Sequence, residues 1–166
     1  MKKIDSFYIF YFFCCIFIFL RLEIIFGSDV DAPFTDDFYY YLTTAKNFIS
    51  LGSTTFDKIS LTNGFQPLWF IIITLVYFIF ENNLIFNITI IFLIFAFSFL
   101  TFLNIKKYLQ KNKFQDTESN FIASFVGYLS LFFSKNGMEI SLATFFFSWS
   151  LLYLNKNILI FCVLSF

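Results

Sequence analysis

Residues 67–80 read PLWFIIITLVYFIF, fourteen positions with no charge. Whether they cross a membrane decides how the rest of the chain is arranged. As a helix they extend about 21 Å, well short of a hydrocarbon core of about 30 Å. If they did cross, the KKYLQKNK segment at 106–113, with four lysines, would fall on the outer face. If they lie in the interface, the next apolar run, 84–103, passes from outside to inside. Those lysines then share the cytoplasmic side with Lys2, Lys3 and Lys156, as the bias of basic residues toward that side requires. The second arrangement is the better one.

Charge elsewhere in the chain agrees with it. Residues 27–83 become one outer segment carrying Asp29, Asp31, Asp36, Asp37, Asp57 and Glu81 against Lys46 and Lys58. The inner segments hold seven lysines against Asp5, Asp116 and Glu118. Residues 7–26 follow a basic flank and are long enough to span, and no small-residue cleavage pattern follows them, so they are expected to remain as an uncleaved first helix. The full expectation is an all-α, multi-pass helical membrane protein with spans at about 7–26, 84–103, 119–134 and 140–155 and a partial span at 158–166. An outer loop at 27–83 carries interfacial helices at about 36–51 and 67–80. The N-terminus is cytoplasmic, and the loop lies on the outer face of the cell membrane.

Composition excludes other classes. With 59% apolar and 25% aromatic side chains against 13% charged, the 166 residues are too rich in Phe, Ile and Leu for an ordinary soluble domain. There is no histidine, so imidazole acid/base chemistry and His-ligated zinc are closed to this chain. Acid/base work falls to carboxylates. Cys14, Cys15 and Cys162 lie inside apolar runs without metal-ligand spacing and read as packing residues. No basic cluster points to nucleic acid.

Thr35-Asp36-Asp37 reads as a helix start, with Thr35 as N-cap and two carboxylates at the positive end of the helix dipole. Phe38, Tyr41, Leu42, Ala45, Phe48 and Ile49 then form one apolar stripe, opposite Thr43, Thr44, Lys46, Asn47 and Ser50, and Gly52 is the stop. Such a helix lies along the membrane surface and holds Asp36 and Asp37 at the water–lipid boundary. The acids alone also fit a purely capping role, Tyr39-Tyr40-Tyr41 an interfacial aromatic belt, and Arg21 an interfacial anchor. Glu139 is costlier at the outer end of a spanning helix, with Lys135 its alternative partner.

Taken in order, 36–48 (DDFYYYLTTAKNF), Gly52, Thr55-Phe56-Asp57, 62–69 (TNGFQPLW) and 136–142 (NGMEISL) resemble the amino-terminal part of bacterial and archaeal multi-pass glycosyltransferases of the GT-C superfamily. The resemblance implies sugar transfer from a polyprenyl-phosphate-linked donor to a glycan, lipid or protein acceptor on the outer side of the membrane. It makes Asp36 and Asp37 the candidates for the catalytic carboxylate and Glu139 the second acid facing it. It also makes Arg21, Tyr40, Lys46, Asn63 and Gln66 candidate substrate contacts, Lys46 standing where the family pattern usually has Arg.

No metal ligand set is assigned, although the three acids are oxygen donors suited to a divalent cation such as Mg²⁺ or Mn²⁺. Family members are several times longer, so the resemblance implies an amino-terminal fragment. The competing class is a non-catalytic multi-pass scaffold or lipid- or glycan-binding remnant, with a transporter third. The topology makes a direct prediction. A cysteine placed at Lys107 should react with a membrane-impermeant maleimide only after permeabilisation, and labelling in intact cells would reverse the arrangement.

Overall fold

A computed structural model describes residues 10, 12–14, 16, 34 and 36–153. It is helical, with α1 Asp36–Leu51, α2 Pro67–Ile79, α3 Asn83–Lys111, α4 Asp116–Phe133, a 3-10 turn Ser134–Asn136 and α5 Ile140–Tyr153. Among the described residues there is no strand, and the single β-bridge pairs Thr55 with Leu61. Of the expected span at 7–26, residues 10, 12–14 and 16 are helical. Its remainder, Arg21 within it, and the partial span at 158–166 lie outside the described residues.

The helix ends follow from local chemistry. Pro67 occupies the first turn of α2, where its missing N–H costs nothing. The Asn82 side chain caps α3 by accepting from Leu84 N at 3.0 Å and Ile85 N at 3.2 Å. A capping box between Gln115 and Glu118 opens α4 three residues before the expected start at 119. At its other end α3 continues past the apolar run, through 104–111, because Lys, Leu and Gln are good helix formers whether or not they are apolar.

Among the described residues one helix, α3, is long and apolar enough to cross a membrane. Its 29 residues make about 43 Å, against a hydrocarbon core of about 30 Å. α2 and α5 are apolar but shorter, and α4 spends its first turn on Asp116 and Glu118. The expected spans at 119–134 and 140–155 therefore correspond to helices that fall short of α3 in length or apolar character.

α3 is the axis on which α4 and α5 pack. Phe86, Ile90 and Ile94 of α3 meet Leu131 of α4 and Leu142 of α5 in the main core, while Phe102, Ile105 and Leu109 meet Ala123 and the ring of Phe10 at the other end. Between them runs a seam of hydroxyls and amides: Ser98 Oγ to Ser130 Oγ at 3.2 Å, Ser130 Oγ to Thr144 Oγ1 at 2.6 Å, and Asn104 Nδ2 to Ser148 Oγ at 3.2 Å. Small polar residues let helix backbones come close and then hydrogen-bond across the contact. α1 and α2 pack on each other at the start of α3, where the Phe38 and Tyr77 rings both lie near Phe86. The far side of α2 exposes Leu68, Ile71, Leu75, Phe78 and Ile79. A helix apolar on both faces suits a position between protein and lipid.

Gly127 shows how tight the lower packing is. A Cβ there would stand 2.8 Å from the Phe10 ring and 3.0 Å from Phe102 Cβ, and the latter cannot move without its backbone. Gly127→Ala should cost about 1–3 kcal/mol of stability, measured as a lowered unfolding midpoint in detergent.

Candidate functional site

Three segments far apart in the sequence meet where α1 begins. Phe38 is fully buried and fixes the rotation of α1. One position earlier, Asp37 stands exposed, and Tyr41 lies four residues on along the same face. The Tyr41 hydroxyl accepts the backbone N–H of Gln66 at 2.9 Å and donates to Glu139 Oε2 at 3.4 Å. One phenol thus joins the acidic helix, the TNGFQPLW segment and the NGMEISL segment. Burial pushes this hydroxyl above its ordinary pKa. The Gln66 N–H opposes that shift, and the charges of Glu139 and Asp37 add to it.

Behind the phenol the same segments are locked a second time. The Trp69 indole, fully buried, donates to the Gly137 carbonyl at 3.0 Å. Gly137 ends the 3-10 turn with φ 84°, and a Cβ on it would meet Phe38 at 2.7 Å and Phe34 at 2.8 Å. Both the left-handed backbone and the missing side chain are therefore used. This turn delivers Met138 and Glu139 to the start of α5.

The connection between α1 and α2 is held by α1 itself. Asn47 Nδ2 donates to the carbonyls of Thr55 at 2.9 Å and Phe56 at 3.0 Å, and the Tyr40 hydroxyl bonds to Thr62 Oγ1 while its ring stacks on Phe56. Asp57 ties the loop tip, accepting from Ser60 N at 2.8 Å, Ile59 N at 2.9 Å and Thr55 Oγ1 at 3.1 Å. The Ser60 and Ile59 N–H groups hold its carboxyl below the usual carboxylate range.

These contacts correct the expected stripe of α1. Thr44 and Asn47 are buried, whereas Phe48 and Ile49 are each 40% exposed. The loop at 52–66 folds back over the second half of the helix, and Asn47 faces carbonyls that need a donor.

The expected site residues separate into groups. Glu139 is brought to Tyr41 by a hydrogen bond, and Asp37 lies one turn before Tyr41 on α1, near enough for its charge to be felt there. Asp36 is exposed in the first turn of α1, four residues before Tyr40, whose hydroxyl bonds to Thr62. Gln66 contributes its backbone N–H and sits at the N-cap of α2, and Asn63 is exposed in the loop before it. Lys46 lies with its ammonium 5.1 Å from the centre of the Tyr77 ring. Arg21 is outside the described residues. Lys135, the alternative partner of Glu139, rests 4.6 Å over Phe132 instead. Among the described residues no three Asp, Glu or Cys side chains gather as a cation site, so Asp36, Asp37 and Glu139 do not form a ready ligand set.

Tyr41 was expected only in the apolar stripe of α1, and Trp69 and Gly137 only as members of the 62–69 and 136–142 segments, with no role at the site. The available signal was the four-residue spacing of Asp37 and Tyr41. Comparison with known proteins finds no matching family model, curated protein or solved structure.

Tyr41 makes the stability of this corner dependent on alkaline pH. A phenol whose folded pKa is raised contributes fully below the unfolded value of about 10, and that contribution is lost as pH rises through the folded value. Tyr41→Phe should cost about 1 kcal/mol at neutral pH for the lost hydrogen bonds. It should also flatten the fall in unfolding temperature above about pH 10; an unchanged alkaline limb would remove Tyr41 as its source.

Proposed function

We propose that this chain belongs to a multi-pass membrane glycosyltransferase that moves a sugar from a polyprenyl-phosphate carrier to an acceptor hydroxyl at the outer face of the cell membrane. The observation that carries the reading is the junction at Tyr41. The three segments whose order resembles the GT-C superfamily are drawn to one point, with Glu139 hydrogen-bonded to the phenol and Asp37 one turn before it on α1.

In this reading Asp37, rather than Asp36, is the carboxylate of the first outer loop, because it shares the face of Tyr41. One carboxylate, Asp37 or Glu139, accepts the proton of the acceptor hydroxyl as that oxygen bonds to the anomeric carbon. The bond from that carbon to the phosphate oxygen breaks, and its electron pair leaves with the polyprenyl phosphate. Proton acceptance by a positioned carboxylate and the holding of both substrates in line are the contributions asked of the site. A phosphate leaving group needs little protonation, but positive charge nearby stabilises it. Lys46 and Arg21 are the proposed sources of that charge, and Tyr40, Asn63 and Gln66 the proposed rim of the substrate entrance. Any divalent cation would have to be completed by oxygens of the substrate or of other residues.

The second reading is a non-catalytic scaffold. It is favoured by Lys46, whose ammonium is already engaged with Tyr77. Transfer from the endogenous polyprenyl-phosphate pool, measured in native membranes, separates the two. Whichever of Asp37→Asn and Glu139→Gln removes the proton acceptor should lower transfer about 10²- to 10⁴-fold with the protein still in the membrane fraction, while Asp36→Asn keeps most of the activity. Normal transfer by both of the first two variants would sink the carboxylate assignment.

A further inference from the structure

The opposite end of α3 carries a feature that the sugar-transfer reading does not use. An apolar stretch at 84–103 is by itself about 30 Å long, the thickness of a hydrocarbon core, and the helix then runs on for about 12 Å more through 104–111. A helix this long, set in a bilayer by its apolar part, holds its last two turns at the level of the headgroups. Lys107 and Lys111, four residues apart, stand on one face of those turns, and Lys113 follows directly; all three are exposed.

The way α3 ends is unusual for a lysine. Phe114 N bonds to Leu109 O at 3.2 Å and Lys113 N to Gln110 O at 3.1 Å, the paired bonds that close a helix when the next residue turns left-handed. That residue is Lys113, with φ 65°. Glycine fills such a position without strain and lysine does not, so the backbone gives no reason for lysine here. The nearby acids have other work: Asp116 accepts the Gln110 amide at 3.2 Å, and Glu118 accepts the Gln115 N–H at 3.4 Å. Lys111 in the last turn would suit the negative end of the helix dipole. That explanation does not extend to Lys107, a turn earlier, or to Lys113, beyond the end.

We propose that the α3–α4 turn is a seat for the headgroups of anionic phospholipids, with Lys107, Lys111 and Lys113 facing their phosphates. Positive side chains at the level of an anionic leaflet gain from its surface potential, and the gain falls off within a Debye length. The proposal shares with the function above only the insertion of α3 in a bilayer; it needs no catalysis.

The test uses the purified chain in phosphatidylcholine vesicles containing a trace of spin-labelled phosphatidylglycerol or phosphatidylcholine, with electron paramagnetic resonance reporting how much of each label the protein immobilises. The expected result is a preference of at least about twofold for phosphatidylglycerol in low salt, abolished in high salt and in the Lys107→Gln/Lys111→Gln protein. Lys113→Gly should lower the preference while raising the unfolding temperature, two opposite movements that a purely structural lysine would not produce. Lys58, the other lysine in a left-handed conformation, with φ 66°, serves as control. Lys58→Gly should raise the unfolding temperature and leave the preference intact. No preference in the parent chain, or one that survives these substitutions at 107, 111 and 113, overturns the proposal. Release of the protein from the vesicles by alkaline carbonate overturns the membrane premise it shares with the proposed function, whereas retention without lipid preference overturns this proposal alone.

Discussion

The hydrogen bond from the Trp69 indole to the Gly137 carbonyl is the contact around which the α1–α2 end of the protein is arranged. An indole N–H with no access to water must find an acceptor, and a lost partner would leave a buried donor unsatisfied. The acceptor here belongs to a turn that exists only because Gly137 takes a left-handed backbone and leaves room for Phe38. α1, α2 and the α4–α5 turn are therefore fixed by one small volume in which the Trp69 indole, the Phe38 ring and the absent side chain of Gly137 fit together. The placement of Tyr41 against Glu139 is a downstream result of that fit.

Much of the secondary structure was legible because it was written in patterns that act locally. The acidic start and the glycine stop placed α1 at 36–51, and the uncharged run at 67–80 placed α2. The bounds that apolar runs gave for α3 and α4 were less faithful. α3 continues through Asn104 to Lys111 because helix propensity is indifferent to polarity, and α4 starts early because Gln115 and Glu118 cap it. The rotation of α1 was half legible. Phe38, Tyr41, Leu42 and Ala45 face inward as their spacing requires, whereas Thr44 is buried as well and Asn47 is held by the loop carbonyls at 55 and 56. At the site, the acids could be read from residue type. The phenol and the indole between them could not, because their partners are tens of residues away and become neighbours only when the helices pack.

Polarity is distributed by depth along α3. The middle of the helix bundle carries hydroxyls and amides without formal charge, paired across Ser98, Ser130 and Thr144 and across Asn104 and Ser148. Among the described residues of α3, α4 and α5, formal charge is kept to the helix ends, with Glu139 at one end and Lys106, Lys107, Lys111, Asp116 and Glu118 at the other. That division follows the cost of each group away from water: a hydroxyl can satisfy itself on the carbonyl three or four residues back, as Thr101 and Ser134 do, while an ion cannot.

Tyr41 and Glu139 are separated by 98 residues, which sets an order on how the chain reaches its final form. At a synthesis rate of about 5–20 residues per second, roughly 5 to 20 s elapse between the emergence of the phenol and that of its carboxylate. Within that interval α1, the 52–66 loop and α2 can already form their local contacts through Asn47, Thr62 and Asp57. Phe38 and Trp69, however, have no Gly137 to close over them. A nascent chain therefore carries two large aromatic side chains without their final cover for seconds, a window in which a chaperone, a lipid or a neighbouring chain can reach them before the protein's own turn does.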